Sequence, residues 1–436
     1  MNTTATGFQP AIMARRASEQ AIGFLIQQGL ENADCLSLAA GFVDLQTLPV
    51  QLVKDASAKL LADAACGKRI LQYGTTAGPE ELRSVFRDYL AELEDHSDKA
   101  TNLPLGQIML TTGSQQLLAL ASQAIFDEGD ICLVAAPTYF VYLGVLDGVG
   151  ANTIPVKTDS DGMCPEALDA MLQQLADDGQ LHKVKMVYVV SYHDNPAGIS
   201  LSNERRPRLM EVVKKWSRDH HIYILEDAAY RELQYDGPDM PSLWSFDDAA
   251  SNGGREHVIL ALTFSKSFSP GVRVGMGVLP QELIKPVSDL KGNEDFGSTH
   301  LSQNIVAEVL KQGTYRTHVT GLLKSYQLKR DAMLAAAEEF FSDIDGVSWL
   351  RPNGGLYVWM SLPESIETGF KSALFERATS VDKVMYVPGE LCYPSAWKER
   401  PKNQMRLSFG VLNPEDIRES MKRLAAAVKS VAAKQA

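Results

Sequence analysis

The sequence predicts an α/β protein with a large domain, in which helices cover a mostly parallel seven-stranded sheet, and a smaller α+β domain. Seven short apolar runs alternate with longer amphipathic segments, in the order QIMLTT, DICLVAAP, ANTIPV, KMVYVVS, IYILED, HVILALTFS and RVGMGVLP. Alternating strands and helices of this kind form parallel sheets. After about residue 300 a long helical pattern precedes short strand-like runs. We therefore place the large domain at 45–300 and the small domain, with an N-terminal lid segment, at 1–44 and 301–436.

Composition and charge narrow the class of protein. The chain has 436 residues, of which 45% are hydrophobic and 22% charged, as in an ordinary globular protein. No run approaches the roughly 18 apolar residues of a membrane span, and a net charge of -12 argues against a general nucleic-acid surface. The five cysteines are widely spaced and odd in number, which predicts neither a disulfide framework nor a zinc site. We expect a cytoplasmic protein without a membrane or nucleic-acid partner.

Polar residues follow three of the predicted strands at their carboxyl ends, the edge where open α/β sheets bind ligands. Lys266 lies in TFSKSFSPGVRVG after the run VILAL, with Ser265 beside it and Arg273 beyond it. Asp227 follows IYIL, and Asn195 lies in HDNPAG after another strand. Taken singly, each has a structural alternative: a solvated lysine, a helix-capping aspartate and an Asn-Pro turn. Together they indicate an anion site beside a lysine amine.

The segment TTGSQQLL adds a second group of anion-binding donors. Gly113 joins a strand to a helix, so the backbone amides of Ser114 and Gln115 lie at a helix N-terminus, where free N–H groups and the helix dipole favour phosphate. The segment lacks the GK[ST] of a P-loop, and GVGANT lacks the third glycine of a dinucleotide fingerprint. The sequence therefore favours a phosphorylated ligand that is not a nucleotide.

Nine segments in order carry a resemblance to a known family: AAGFVDLQTLP, LQYGTTAG, TTGSQQ, APTYF, HDNPAG, EDAAY, TFSKSFSPGVRVG, PNGGLYVW and MRLSF. The chain resembles fold-type I pyridoxal 5'-phosphate (PLP) enzymes of the class I/II aminotransferase family, over most of its length. The GSQQ form is most similar to the branch of 2-aminoadipate and kynurenine aminotransferases. The resemblance implies PLP as cofactor and amino transfer between an L-amino acid and a 2-oxo acid, by a ping-pong path through pyridoxamine phosphate.

The resemblance also implies a role for each motif residue. Lys266 would hold PLP covalently and carry the catalytic proton, with Asp227 on the ring nitrogen and Tyr230 on the ring oxygen. The remaining cofactor contacts would come from Ser114, Gln115, Tyr139, Asn195, Ser265 and Arg273. The substrate contacts would be Gly41, Asn195 and Arg406, of which Arg406 would bind the α-carboxylate. Tyr73 would reach the phosphate of a neighbouring subunit, so that a homodimer would share its active sites.

Several alternatives stay open at this point. A PLP-dependent carbon–sulfur lyase or another lyase would share the same core residues, and a non-enzymatic PLP-sensing module is a third class. Arg406 could be a surface charge on a half-buried strand, and Arg15 and Arg16 could be solvated rather than substrate-binding. Relatives usually read QNPTG where this chain has HDNPAG, which puts substrate preference in doubt. We expect His193 of that segment to be a loop histidine rather than a catalytic base.

Overall fold

The computed structural model describes residues 8–16, 23, 27–29, 34–39, 41–249 and 254–435. Its strands, in chain order, are β1 (Leu36–Ser37), β2 (Ile108–Thr111), β3 (Ile131–Ala136), β4 (Asn152–Asp159), β5 (Gly162–Met163), β6 (Val184–Val190), β7 (Tyr223–Asp227), β8 (Val258–Thr263), β9 (Gly275–Val278), β10 (Ser348–Trp349), β11 (Tyr357–Ser361), β12 (Val384–Met385), β13 (Val387–Pro388) and β14 (Gln404–Ser408). The seven strands predicted from the apolar runs are β2, β3, β4, β6, β7, β8 and β9.

The large sheet has the strand order β2-β9-β8-β7-β6-β3-β4-β5. The pairs from β8 through β4 are parallel, whereas β9 runs antiparallel to both β8 and β2. The predicted mostly parallel sheet is thus confirmed, and the two-residue β5 extends it by pairing antiparallel with the end of β4. Residues in β2, β7, β8 and β9 are buried throughout, because helices cover both faces of the sheet.

Helices in the described part of the chain follow the amphipathic segments between strands. They are α1 (Ile12–Arg16), α2 (Val50–Ala62), α3 (Ala64–Ile70), α4 (Glu80–Leu93), α5 (Asp98–Thr101), α6 (Ser114–Ile125), α7 (Phe140–Val149), α8 (Pro165–Asp177), α9 (Arg205–Trp216), α10 (Ile284–Asp295), α11 (His300–Lys311), α12 (Thr314–Phe341), α13 (Ala373–Ser380) and α14 (Pro414–Gln435). No helix among these residues is long and apolar enough to cross a membrane.

A second, antiparallel sheet of order β10-β11-β14-β13 lies in the C-terminal part, where α12 packs against α14. The short strand β1 pairs parallel with β12, so Leu36–Ser37 join the C-terminal part of the chain, whereas α1 packs against α7, a helix that follows a strand of the large sheet. The predicted division near residue 300 stays a prediction. The core on one face of the large sheet also includes side chains from 305–319, in α11 and the start of α12.

A buried ion pair anchors β7, the strand that carries Asp227. Glu226 and Arg206 are both fully buried, with 3.5 Å between Arg206 Nη1 and the Glu226 carboxylate. Glu226 also accepts hydrogen bonds from Ser191 Oγ and from the backbone amides of Leu243 and Trp244, at 2.7 to 3.0 Å. The loops after β6 and β7 are therefore tied to one buried carboxylate.

Replacing Arg206 with Met should lower the free energy of unfolding by about 3 kcal/mol or more, because Glu226 would lose the cation that compensates its burial. Urea unfolding followed by circular dichroism measures the change. Lys285→Met is the matched control, since Lys285 and Asp289 form an exposed pair one helical turn apart, and it should cost under about 1 kcal/mol. Equal losses in the two variants would contradict a stabilising role for the buried pair.

Candidate active site

The residues predicted for the site converge on one cavity of about 510 Å³ at the carboxyl edge of the large sheet. The cavity is lined by Gly41, Ser114, Gln115, Tyr139, Asn195, Asp227, Tyr230, Ser265, Lys266, Arg273 and Arg406, among others. Tyr357 of β11 and Arg406 of β14 close it from the second sheet. The cavity therefore collects side chains from both sheets and from the segment near Gly41. Their individual roles stay predictions.

One end of the cavity is suited to an anion. There the absence of a side chain at two glycines lets the guanidinium of Arg273 lie next to the N-terminus of α6. Gly113 precedes α6 with φ at 72°, which a glycine adopts without strain. A Cβ there would lie 2.6 Å from Arg273 Nη2, and a Cβ at Gly275 would lie 2.7 Å from the Ser114 amide nitrogen. No side chain caps the first turn of α6. Backbone donors and Arg273 therefore meet at one place, the geometry that binds phosphate.

Ser265 contributes a directed hydroxyl to this end. Its Oγ accepts a hydrogen bond from Thr263 Oγ1 at 2.9 Å and a longer one from Arg273 Nη1 at 3.4 Å. A serine oxygen has two lone pairs and one proton. With both lone pairs engaged, the Ser265 proton is left to donate to a ligand in the cavity.

Asp227 ends β7 in the interior, with 3% of its surface exposed. Tyr188 donates its hydroxyl to Oδ2 at 3.0 Å, and the Ala229 amide donates to Oδ1 at 3.2 Å. Burial raises the pKa of Asp227 from 3.8 to about 6, while these two hydrogen bonds and the Lys266 charge oppose the rise. The carboxyl group can therefore share a proton with a basic atom of a ligand. The alternative of a helix-capping aspartate does not fit, because no helix begins at this position.

Lys266 extends into the same cavity from the turn after β8. Its Nζ donates to the Gly41 carbonyl at 3.0 Å and lies 5.9 Å from the centre of the Tyr230 ring. Tyr139, just before α7, forms part of the wall, and burial raises the pKa of its hydroxyl. Val190 and Ala229 add apolar lining. A planar ring in this cavity would find apolar walls, a lysine amine and a carboxylate.

Arg406 is buried, so it is not the surface charge that remained open from the sequence. Only 3% of it is exposed. Its Nη1 donates to Asn195 Oδ1 and its Nη2 to the Ala39 carbonyl, both at 2.8 Å, whereas Nε has no partner. The guanidinium lies 4.4 Å from the centre of the Tyr357 ring. Because a buried guanidinium retains an unused donor, this group is suited to a carboxylate ligand.

Sequence reasoning missed two tyrosines, Tyr188 and Tyr357. Tyr188 lies on β6 and bonds to Asp227, and the hydroxyl of Tyr357 lies 3.0 Å from that of Tyr230. Both occur inside segments used for the prediction, KMVYVVS and PNGGLYVW. A tyrosine hydroxyl in a buried strand needs a hydrogen-bond partner, so a tyrosine inside an apolar strand segment was the sequence signal that could have identified them. The identity of the partner depends on the fold.

The structure places four other candidates outside the cavity lining: Tyr73, Arg15, Arg16 and His193. Tyr73 is 80% exposed. Arg16 pairs with Glu128 at 2.5 Å. His193 has a φ of 41° and is buried against Gly354 and Gly355.

His193 is arranged as a neutral loop residue. Its Nδ1 lies 3.1 Å from Ser200 Oγ, and Nε2 has no partner. Burial, with a smaller contribution from Arg206, lowers the pKa of the imidazole from 6.5 to about 3. A histidine that is uncharged at neutral pH and lies outside the cavity lining is not positioned as a catalytic base, in line with the interpretation favoured from the sequence.

Comparisons with known proteins give a consistent result across nearly the whole chain. A family model described as aminotransferase class I and II matches residues 33–424. Aromatic-amino-acid aminotransferase 1 of Thermococcus litoralis is 35% identical over 402 residues, which cover 92% of this chain and 89% of that protein. The crystal structure of a multiple substrate aminotransferase from Thermococcus profundus has a TM-score of 0.85 and 32% identity, covering 95% and 96% of the two chains.

A further solved structure bears on the cofactor. The α-aminoadipate aminotransferase LysN of Thermus thermophilus was solved with N-(5'-phosphopyridoxyl)-L-leucine. It has a TM-score of 0.82 and 28% identity, covering 97% of this chain and 98% of that one. This chain is thus similar to a protein that was solved with a ligand in which pyridoxyl phosphate is joined to an amino acid.

Replacing Tyr188 with Phe should raise the pKa of Asp227 further, by about one unit, because a hydrogen bond to the charged form is lost. The folded carboxyl holds its proton more tightly than the unfolded one, so its ionisation lowers the free energy of unfolding as pH rises from about 4 to about 6. In Tyr188→Phe this decrease should continue to about pH 7. Urea unfolding of cofactor-free protein at several pH values measures it, with Asp227→Asn defining the baseline.

Tyr142→Phe is the matched control for this prediction. Tyr142 packs against Tyr188 with ring centres 4.1 Å apart, but its hydroxyl lies 2.9 Å from Ser122 Oγ. In Tyr142→Phe the decrease in the free energy of unfolding should level off near pH 6, as it does in the parent. If Tyr188→Phe also levelled off there, the hydrogen bond would not control the charge of Asp227.

Proposed function

The chain belongs to the class I and II aminotransferase family, and we propose that it acts on large apolar and aromatic L-amino acids, with PLP attached at Lys266. The family membership makes it a PLP-dependent aminotransferase, which moves an amino group between an amino acid and a 2-oxo acid. The observation that carries the site assignment is the convergence of Lys266 and Arg406 on Gly41. Lys266 Nζ bonds to the Gly41 carbonyl, and a Cβ at Gly41 would lie 3.9 Å from Arg406 Nη2.

The cavity fits PLP in charge and in shape. The N-terminus of α6 beside Arg273 suits a phosphate, and this arrangement requires both glycines, because a Cβ at Gly113 would clash with Arg273 and one at Gly275 with the Ser114 amide nitrogen. Asp227 provides the buried carboxylate that keeps a pyridine nitrogen protonated. When bound, PLP supplies an electron sink that stabilises negative charge at the substrate Cα.

The residues of this chain would then divide the work. Lys266 would hold the cofactor and, once released, accept and return the Cα proton on Nζ. Arg406 would bind the α-carboxylate through its fork, with Asn195 fixing the guanidinium at 2.8 Å. Tyr230 and Asn195 would donate hydrogen bonds to the ring oxygen. A protonated ring nitrogen would in turn favour the charged form of Asp227, opposing the effect of burial on its pKa.

The preference for apolar substrates follows from the wall near Arg406. Phe42, Phe140 and Val141 line the cavity, and the Phe140 ring centre lies 5.7 Å from the Arg406 guanidinium. Arg16, one of the two arginines left open as substrate-binding, pairs instead with Glu128, so it is not directed at a carboxylate on a substrate side chain. An apolar side chain would gain roughly 25 cal/mol for each Å² it buries there. The name of the Thermococcus litoralis relative, an aromatic-amino-acid aminotransferase, supports the same choice.

We also propose that two copies assemble as a homodimer with shared sites. Leu71, Tyr73 and Phe296 are 67%, 80% and 74% exposed, and the rings of Tyr73 and Phe296 are 6.3 Å apart. Exposed apolar side chains grouped in this way mark an interaction surface. The cysteines of the described residues are all free, which supports the expected cytoplasmic location.

A panel of amino acids tests the substrate proposal. Phenylalanine, tyrosine and leucine should convert the bound cofactor, followed by absorbance in single turnovers, at least 10-fold faster than aspartate, a difference of about 1.4 kcal/mol. Phe140→Ala should lower kcat/KM for phenylalanine by about 10-fold and for alanine by much less. Lys266→Ala is the inactive control. Faster conversion by aspartate than by phenylalanine would exclude the apolar preference.

Subunit mixing tests the shared site. Tyr73→Phe and Lys266→Ala chains, each impaired as a homodimer, should form heterodimers in which one site carries neither change. Activity should return toward about a quarter of that of the parent after subunit exchange, because half of the dimers in a random mixture are mixed and each has one intact site. Absence of recovery, with exchange verified by native mass spectrometry, would place Tyr73 outside the site.

A further inference from the structure

We propose that Tyr357 is a positioning residue that acts through Tyr230. Its hydroxyl donates to the hydroxyl of Tyr230 and so strengthens the hydrogen bond from Tyr230 to the ring oxygen of the cofactor. The inference rests on the role proposed for Tyr230 in the same site. It adds a residue to which the matched motifs gave no role.

The two tyrosines come from different sheets and meet inside the cavity. Tyr230 follows β7 of the large sheet, and Tyr357 opens β11 of the four-stranded sheet. Their oxygens are 3.0 Å apart, and their rings lie edge to face with centres 5.7 Å apart. Both side chains are buried, at 5% and 1% exposure, and both line the cavity. The hydrogen bond therefore has little competition from water.

The chemistry of phenols fixes the direction of this hydrogen bond in the loaded enzyme. A phenol has one proton to donate and accepts through its lone pairs. If Tyr230 donates its proton to the ring oxygen of the cofactor, only Tyr357 can supply the proton shared by the two tyrosines. The order is then Tyr357 to Tyr230 to ring oxygen. Hydrogen bonds in such a chain strengthen one another by roughly 10–30% each.

Contacts on three sides hold Tyr357 in position. In the antiparallel pairing of β11 with β14, Tyr357 lies opposite Ser408, two residues along from the Trp359 and Arg406 pair. This register places its ring centre 4.4 Å from the Arg406 guanidinium. A Cβ at Gly41 would come within 3.2 Å of the Tyr357 hydroxyl, so the backbone there covers it closely. The hydroxyl has little freedom to turn away from Tyr230.

A stronger hydrogen bond to the ring oxygen has a measurable consequence. Donation to this oxygen would stabilise its negative charge and weaken its hold on a proton shared with the nitrogen through which Lys266 holds the cofactor. The Tyr357 hydroxyl should therefore lower the pKa of the bound cofactor. Its removal should raise that pKa by about 0.5 units, a threefold change in the protonation equilibrium.

The experiment is an absorbance titration of the cofactor-loaded protein. Tyr357→Phe keeps the ring on Arg406 and removes only the hydroxyl. The pKa of the bound cofactor should therefore rise by about 0.5 units, a threefold change in its protonation equilibrium. The value of kcat should fall by a larger factor than KM rises. In a Tyr230→Phe background the same substitution should produce no further shift, because the connecting hydroxyl is gone. Tyr357→Leu, which also removes the ring, should give the same shift in pKa and a larger rise in KM.

Tyr235→Phe is the matched control. Tyr235 donates its hydroxyl to the Gly355 carbonyl, two residues before Tyr357, so its loss loosens the same loop without touching Tyr230. The control should leave the pKa of the bound cofactor unchanged. An equal shift in the control, an undiminished shift in the Tyr230→Phe background, or no shift in Tyr357→Phe would each overturn the proposal. Failure of the parent to bind an absorbing cofactor at Lys266 would instead contradict the proposed function.

Discussion

The buried guanidinium of Arg406 is the constraint on which the site depends. A desolvated cation is costly unless acceptors surround it, and this one bonds to Asn195 in the loop after β6 of the large sheet and to the Ala39 carbonyl near the N-terminus. Arg406 itself belongs to β14 of the second sheet. Three separate parts of the chain must therefore come together before the charge is accommodated. The need to pair one cation assembles the cavity that a substrate would use.

Hydroxyl groups provide fine control around the charged groups. Thr263 donates to Ser265 where Arg273 meets the N-terminus of α6, and Tyr188 donates to Asp227. The hydroxyls of Tyr357 and Tyr230 are hydrogen-bonded to each other. Each hydroxyl is neutral, so it adjusts the charge distribution of a neighbour without adding a charge that must itself be solvated. The charged groups thus select the ligand class, and the hydroxyl groups set how tightly protons are held.

The sequence predicted the seven main strands, because apolar periodicity locates parallel strands, and it brought Asn195, Asp227 and Lys266 to one edge, because parallel strands end together there. The family resemblance added residues such as Tyr139 and Arg406, so that the named candidates make up half of the cavity lining. It did not predict β5, whose two residues are too short to show a period. Tyr188 and Tyr357 are ordinary strand residues in sequence, and their partners lie 39 and 127 positions away. The left-handed backbone of His193 depends on its packing against Gly354 and Gly355, which spacing does not reveal. The position of Tyr73 relative to a site involves a second chain.

Glu226 and Asp227 are adjacent on β7, so their side chains point to opposite faces of the sheet. Glu226 is enclosed by Arg206 and by three other donors, whereas Asp227 faces the cavity. A slip of β7 by one residue would turn every side chain to the opposite face, so that Asp227, one methylene shorter, would lie beneath Arg206 and Ala228 would face the cavity. The contacts of Glu226 with Arg206 therefore fix the register that turns Asp227 toward the cavity, and a chain paired out of register would lose stability together with its site.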